Sequence, residues 1–266
     1  MSDPEPIVLA DVIVVPDAAA AAAEGARQVV VILAAAIADR GRAYWCVTGG
    51  STAAGIYRAL VDGPLRDDVA WEAVHVWWGD DRYVPRGHPL SNVTAFDDIV
   101  FGPTALPIPV DQLHPFRTSE AIGEGGDAAG CAAALAAELR SVGPPSRPSA
   151  EGGWPSFDLL MLGVGGDGHI LSVFPESAAF DTGDLAVAIP APTHIEPHVE
   201  RVTLNPGVVA AARRVLVLAT GSGKAPVIGE IFGATRNPGR WPAQLALRDG
   251  ATWVLDEAAA AGLALR

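Results

Sequence analysis

His169 and Asp167 stand two residues apart in the run Gly163-Val164-Gly165-Gly166-Asp167-Gly168-His169, directly after the apolar stretch 157–162. Histidine titrates near neutrality and serves as a general base. A carboxylate beside it sets the tautomer of the ring. Backbone N–H groups of a glycine loop, here at Gly165 and Gly166, suit an oxyanion that develops when a carbonyl is attacked. These types in this order predict water activation, with His169 and Asp167 as the catalytic residues.

Three further segments offer groups for an anion. Thr48-Gly49-Gly50-Ser51-Thr52 lies between an apolar run and a helical pattern. Glycines there admit close backbone approach, and the amides that open a helix favour negative charge. Gly50 and Ser51 are the expected contacts; the plain alternative is a turn in which Ser51 or Thr52 caps the helix. Gly79-Asp80-Asp81-Arg82, followed by Ser91-Asn92, places Asp80, Arg82 and Asn92 at the end of another apolar run. Acidic and amide groups suit sugar hydroxyls and the arginine suits phosphate, although an exposed pair of this kind is often only a surface ion pair. Thr220-Gly221-Ser222-Gly223-Lys224 carries the one lysine beside 17 arginines. An ammonium next to glycines at a helix start suits phosphate, and its survival in an arginine-biased chain marks Lys224. Arg201, at the start of another apolar run, is a fourth cation.

Several familiar patterns fail on inspection. A nucleophile elbow needs glycine at position 53, which is Ala53. Gly163, Gly165 and Gly168 match the dinucleotide fingerprint literally, but Pro175 interrupts the helix that should follow, and Asp184 precedes the next apolar run instead of ending it. A phosphate-binding P-loop needs glycine at Leu218 and a hydroxyl at Ala225. His194 and His198 have zinc-like spacing, but Pro192 and Pro197 oppose the helix that would align them, so no metal is expected.

The net charge of −13 argues against nucleic acid and anionic membrane as partners and leaves a small anionic substrate held by a local cluster of cations. No apolar run reaches the roughly 20 residues of a bilayer crossing. The acidic start, MSDPEPIVLADVIVVPD, is unlike a secretory leader, so a cytoplasmic location is expected. Cys46 and Cys131 have neither disulfide nor metal spacing and are expected to be buried thiols.

The elements that must position these groups follow from periodicity. Helices are predicted over 18–38, from Ser51 to about Val61, over 92–100 and 128–140, after Gly223, and at the end of the chain. Strands are predicted over 44–47, 74–78, 157–162, 201–204, 215–220 and 252–255. Segment 102–115 reads as connecting loop and 141–155 as the best linker candidate, without a composition break large enough for two domains. Alternating strands and helices predict one domain over residues 1–266: a three-layer α/β, Rossmann-like fold with a mostly parallel sheet and helices on both faces. Ligands then bind beyond the carboxyl ends of the strands, where the glycine loops converge.

The ordered set TGGST (48–52), WWGDDRYVP (77–85) with SN (91–92), FDLLMLGVGGDGH…FP (157–175), RVTL (201–204), GSGK (221–224) and PAQLALRDGATWVLD (242–256) resembles the 6-phosphogluconolactonase family. The resemblance implies an α/β fold related to sugar-phosphate isomerases and deaminases, and hydrolysis of 6-phospho-D-glucono-1,5-lactone without cofactor or metal. A monomer or weak homodimer is expected. The family's motif histidine falls on His169, its Asp-Glu-Arg arginine on Arg82 and its late lysine on Lys224. Three departures stand out: Asp81 for the usual glutamate, Ile170 for the usual threonine, and Ala191-Pro192-Thr193-His194 for a Pro-Lys-Pro-Pro stretch. The last removes a lysine, for which Arg201 or a histidine is expected to compensate. Glucosamine-6-phosphate deaminases, the related alternative, carry a ring-opening glutamate five residues after the histidine, where this chain has Phe174. A non-catalytic sugar-phosphate sensor would keep the cations without the base.

Overall fold

The computed structural model describes residues 10–101, 105–147, 153–233 and 235–264. Parts of the predicted loop (102–104) and linker (148–152), and both chain ends, lie outside the described residues.

Apolar runs of about five residues bounded by glycine or polar turns form the strands. These are β1 (Asp11–Val15), β2 (Ala43–Val47), β3 (Val74–Trp78), β4 (Asp80–Arg82), β5 (Leu113–His114), β6 (Leu159–Gly163), β7 (Ala186–Ile189), β8 (Arg201–Leu204), β9 (Val215–Ala219) and β10 (Ala251–Asp256). Seven of them make a parallel sheet in the order β1-β10-β9-β6-β2-β3-β5. The central strands β9 and β6 are buried on both faces, as a parallel sheet covered by helices requires.

The helices are α1 (Ala18–Arg40), α2 (Ser51–Asp62), α3 (Asn92–Val100), α4 (Thr118–Gly123), α5 (Ala128–Val142), α6 (Gly207–Ala211), α7 (Ala225–Gly233) and α8 (Glu257–Ala260). Helix α1 opens on Asp17, which accepts from the Ala20 amide, and closes on Gly41 at φ 74°, a conformation that glycine adopts freely. It has the length and apolarity of a bilayer-crossing helix, contrary to the reading of its sequence. Here Ala21, Ala26, Val29, Val30 and Leu33 form its buried face, packed on α2 and the sheet, while Glu24 and Arg27 pair on its other side.

The main sheet, flanked by helices, matches the expected fold, and three features were not foreseen. Edge strand β1 pairs with β10, Asp11 against Thr252, and was not read as a strand. Strand β5 falls within the predicted loop and pairs with β3. A second, antiparallel sheet, β4-β8-β7, stands beside the first. Of its strands β8 was predicted, over 201–204; β4 and β7, of three and four residues, are too short for periodicity to announce, and only their pairing with β8 creates them.

An aromatic cluster beneath the site fixes its floor. Trp45, Tyr57 and Phe96 are fully buried and meet edge to face at centroid distances of 5.0–6.0 Å. The Tyr57 hydroxyl, held protonated by burial, donates to the Thr48 carbonyl at 2.6 Å, so the core anchors the TGGST turn.

Candidate active site

A cleft of about 310 Å³ opens at the carboxyl ends of β2, β3, β6 and β9. It is lined by Gly50, Ser51, Asp80, Arg82, Asn92, Gly165, Gly166, His169, Arg201 and Lys224. Ten of the eleven residues selected from sequence thus share one surface. The eleventh, Asp167, stands behind His169 and touches it.

The turn after β6 explains that pair. Gly168, at φ 85°, donates to the Gly165 carbonyl, and the Gly165 amide donates to the His169 carbonyl at 2.9 Å. The chain doubles back and presents the imidazole to the cleft. Asp167 Oδ1 lies 2.6 Å from His169 Nδ1 and also accepts from the His169 amide at 3.1 Å. A carboxylate acceptor at Nδ1 places the ring proton there and leaves Nε2 with its lone pair. A β-carbon on Gly165 would stand 2.1 Å from His169 Nδ1 and 2.7 Å from Asp167 Oδ1. Gly165 therefore serves by its missing side chain. Its amide is already engaged, which corrects its expected part as an oxyanion donor; the Gly166 N–H has no protein partner among the described residues.

Asp167 has a second partner that sequence reasoning missed. His194 Nε2 lies 2.8 Å from Asp167 Oδ2. Desolvation acts to raise the Asp167 pKa, but the hydrogen bonds from His169 and His194 outweigh it and hold the carboxyl well below the usual range. Phe174 packs against both imidazoles, at centroid distances of 4.7 Å from His169 and 5.6 Å from His194. The zinc-like histidine spacing leads to different partners instead, since His198 Nδ1 meets the Pro192 carbonyl at 2.6 Å. No group of three possible ligands for a metal occurs among the described residues. The 190–200 segment also brings Ile195 and Glu196 to the cleft wall, with no signal in the sequence to announce them.

The cations come from two walls. Arg82 and Arg201 are register partners across β4 and β8. Asn92 Oδ1 accepts from Arg82 Nη1 at 2.6 Å, and Asn92 Nδ2 donates to the Asp80 carbonyl oxygen at 2.9 Å. With both ends of its amide engaged, Asn92 orients Arg82, whereas the sequence reading gave it to the substrate. Asp80 is tied as well, accepting from Ser172 Oγ at 2.6 Å. Asp81, fully buried, accepts from the amides of Arg82 and Asn92 and from Ser91 Oγ, and so ties α3 to β4. Burial pushes its carboxyl up to about 6 against the pull of those three bonds. Arg201, 4% exposed, donates to the Pro197 and Val199 carbonyls. Burial, and then repulsion from Arg82, hold its guanidinium below the ordinary arginine value, with Asp80 and Asp81 opposing.

Lys224 stands on the other wall, donating to the Val164 carbonyl at 2.7 Å. Burial lowers its pKa, and the nearby Asp167 opposes that shift. Its loop is held by Asp256, whose carboxylate accepts from the Gly221 amide at 2.9 Å. At the floor, Gly50 occupies the N-cap of α2 at φ 94°, and no side chain caps the helix. The capping role considered for Ser51 or Thr52 is not realised, so the first amides of α2 open onto the cleft. The arrangement joins a carboxylate-oriented base to cations and helix amides suited to a phosphate.

Comparison with known proteins places the chain in a family. The family model described as glucosamine-6-phosphate isomerases/6-phosphogluconolactonase matches residues 16–254. The 6-phosphogluconolactonase of Streptomyces coelicolor is 34% identical over 232 residues, covering 86% of this chain and 85% of the relative. That of Synechocystis is 34% identical over 233 residues, covering 86% and 88%. The solved structure of the Trypanosoma brucei 6-phosphogluconolactonase superposes with a TM-score of 0.81 at 29% identity, covering 96% of this chain and 98% of its own.

Proposed function

The chain belongs to the glucosamine-6-phosphate isomerase/6-phosphogluconolactonase family and has the 6-phosphogluconolactone hydrolase activity of the pentose phosphate pathway, and we propose that His169 is its general base. The substrate in this reading is 6-phospho-D-glucono-1,5-lactone and the product 6-phospho-D-gluconate. Its phosphate is held by Arg82, Arg201, Lys224 and the amides of Gly50 and Ser51. This remote binding fixes the ring against the histidine loop.

Water then bonds to C1 while His169 Nε2 takes its proton. The Asp167 carboxylate, fixed to Nδ1, stabilises the imidazolium that forms. The oxyanion on the former carbonyl meets the Gly166 N–H. Collapse of the tetrahedral intermediate breaks the bond from C1 to the ring oxygen, and the imidazolium returns its proton to that leaving oxygen. General base catalysis of this kind contributes about 10²–10⁴-fold. No covalent intermediate, cofactor or metal takes part.

The 2.6 Å contact of His169 with Asp167, inside a cleft that also holds three cations, carries this reading. Phe174, buried where a deaminase would need a carboxylate, supports a hydrolase. In this reading the enzyme is a single domain of the cytoplasm, active as a monomer or weak homodimer; the free, buried thiols Cys46 and Cys131 suit that compartment. The test is lactone hydrolysis by the purified protein above the spontaneous rate, for wild type and His169→Ala. Acceleration lost in a folded His169→Ala supports the base; equal rates in the two would remove it.

A further inference from the structure

Six arginines gather at the opposite end of the main sheet, where they have no part in the cleft. A groove of about 610 Å³ runs along the amino ends of β6, β9 and β10 beside α1. Arg40, Arg147, Arg213, Arg214 and Arg248 line it, against Asp39, Asp158 and Asp249. Arg42 lines an adjoining hollow of about 290 Å³ that shares Arg40, Asp158 and Arg213. Five residues of strand at about 3.3 Å each put roughly 16 Å between this groove and the cleft.

The carboxylates there are unevenly spent. Asp158, 3% exposed, pairs with Arg40 at 2.7 Å and Arg213 at 3.2 Å, and Asp39 pairs with Arg40. Among the described residues Arg147, Arg214 and Arg248 make no ion pair. Arg147 Nε is buried without a hydrogen-bond partner. Arg248 is held by the Val209 and Ala212 carbonyls at 2.7 and 2.9 Å, so its charge is fixed in place without a counter-charge in contact. Burial and repulsion from Arg147 and Arg214 lower its pKa, with Asp249 opposing. A surplus of positive charge in a chain of net charge −13 is a local feature, since the surface average is acidic.

The opposite wall is apolar. Val31, 53% exposed, stands one helical turn from Ala35 on α1, with Ile32 beside them. Guanidinium groups facing an apolar wall suit a ligand that joins several phosphates to a flat apolar body. We propose that this groove is a second anion site, for a nucleoside polyphosphate, formed around Arg147, Arg214 and Arg248.

Calorimetric titration with metal-free ATP at low ionic strength tests it, in the presence of saturating 6-phosphogluconate to fill the cleft. One ATP per chain is expected, with affinity reduced at least about tenfold by Arg214→Glu, whose exposed side chain leaves the fold untouched, and similarly by Arg147→Gln. Inorganic triphosphate is expected to bind more weakly than ATP. Absence of binding, displacement of ATP by 6-phosphogluconate, or unchanged affinity in both variants would overturn the site. Equal affinity for triphosphate and ATP would overturn the nucleoside assignment.

Discussion

Arg82 and Arg201 face each other in register across two antiparallel strands, two guanidinium groups on one wall of a small cleft. Like charges placed so are relieved by an anion between them. Binding of 6-phosphogluconate or inorganic phosphate should therefore stabilise the protein. At 100 times the dissociation constant the gain is about 2.7 kcal/mol, or roughly 5–10 °C in melting temperature for a chain of this size. Arg201→Lys should lose about half of it at the same ligand concentration, because one ammonium cannot hold the 197–199 carbonyls and a phosphate together. Its KM should rise about tenfold with kcat little changed, as loss of uniform binding requires. Scanning calorimetry and steady-state kinetics check both.

Asp167→Asn keeps the size of the side chain and removes the negative charge at His169 Nδ1. The amide can present its NH2 to the ring and favour the wrong tautomer. A fall of kcat by about 10²–10⁴-fold is expected, close to that of His169→Asn, with KM little changed. The double variant should be no worse than the worse single one, because the two residues act as a unit. An additive double variant would separate their roles.

Gly165→Ala adds one methyl group where no space exists, since its β-carbon would meet His169 Nδ1 at 2.1 Å. The imidazole must move off its station. A shift of about 1 Å in a catalytic group costs on the order of 10²-fold. The loop lies at the surface of the sheet, so the melting temperature should fall by only a few degrees. Near-wild-type kcat would show that the base is elsewhere.

Burial raises the Asp81 carboxyl to about 6, above its unfolded value of about 4, so between those two pH values the folded state holds the extra proton. Its contribution to stability is full below about pH 4 and is lost as pH rises through about 6, by up to about 2–3 kcal/mol. Asp167, held low by two histidines, has the opposite sign: its contribution is present above about pH 4 and fades as pH falls below that value. Asp81→Asn should flatten the stability profile between pH 4 and 6 and leave the acid limb below it. Urea melts across pH 3–8 read both limbs. An unchanged slope between pH 4 and 6 in Asp81→Asn would sink the assignment.

The local sequence determined much of this molecule. Apolar runs with glycine after them became β2, β3, β6 and β9, and their loops met at one end of the sheet, because parallel strands joined by right-handed crossovers must all point one way. The chemical types were legible for the same reason: a histidine two residues from an aspartate in a glycine turn has few other arrangements open to it. Tertiary structure decided what depends on distant segments. The pairing of β4 with β8 set Arg82 against Arg201, 119 positions apart by residue number. The return of 190–200 placed His194 on Asp167, where spacing had suggested only a poor zinc pair. The side-chain amide of Asn92 turned from substrate to Arg82, whose guanidinium donates to its Oδ1, and the backbone amide of Gly165 turned from oxyanion to the His169 carbonyl, because each found a protein partner within reach. Periodicity reports which face of a segment is buried; which buried polar group then satisfies which other is settled only when the chain has closed around them.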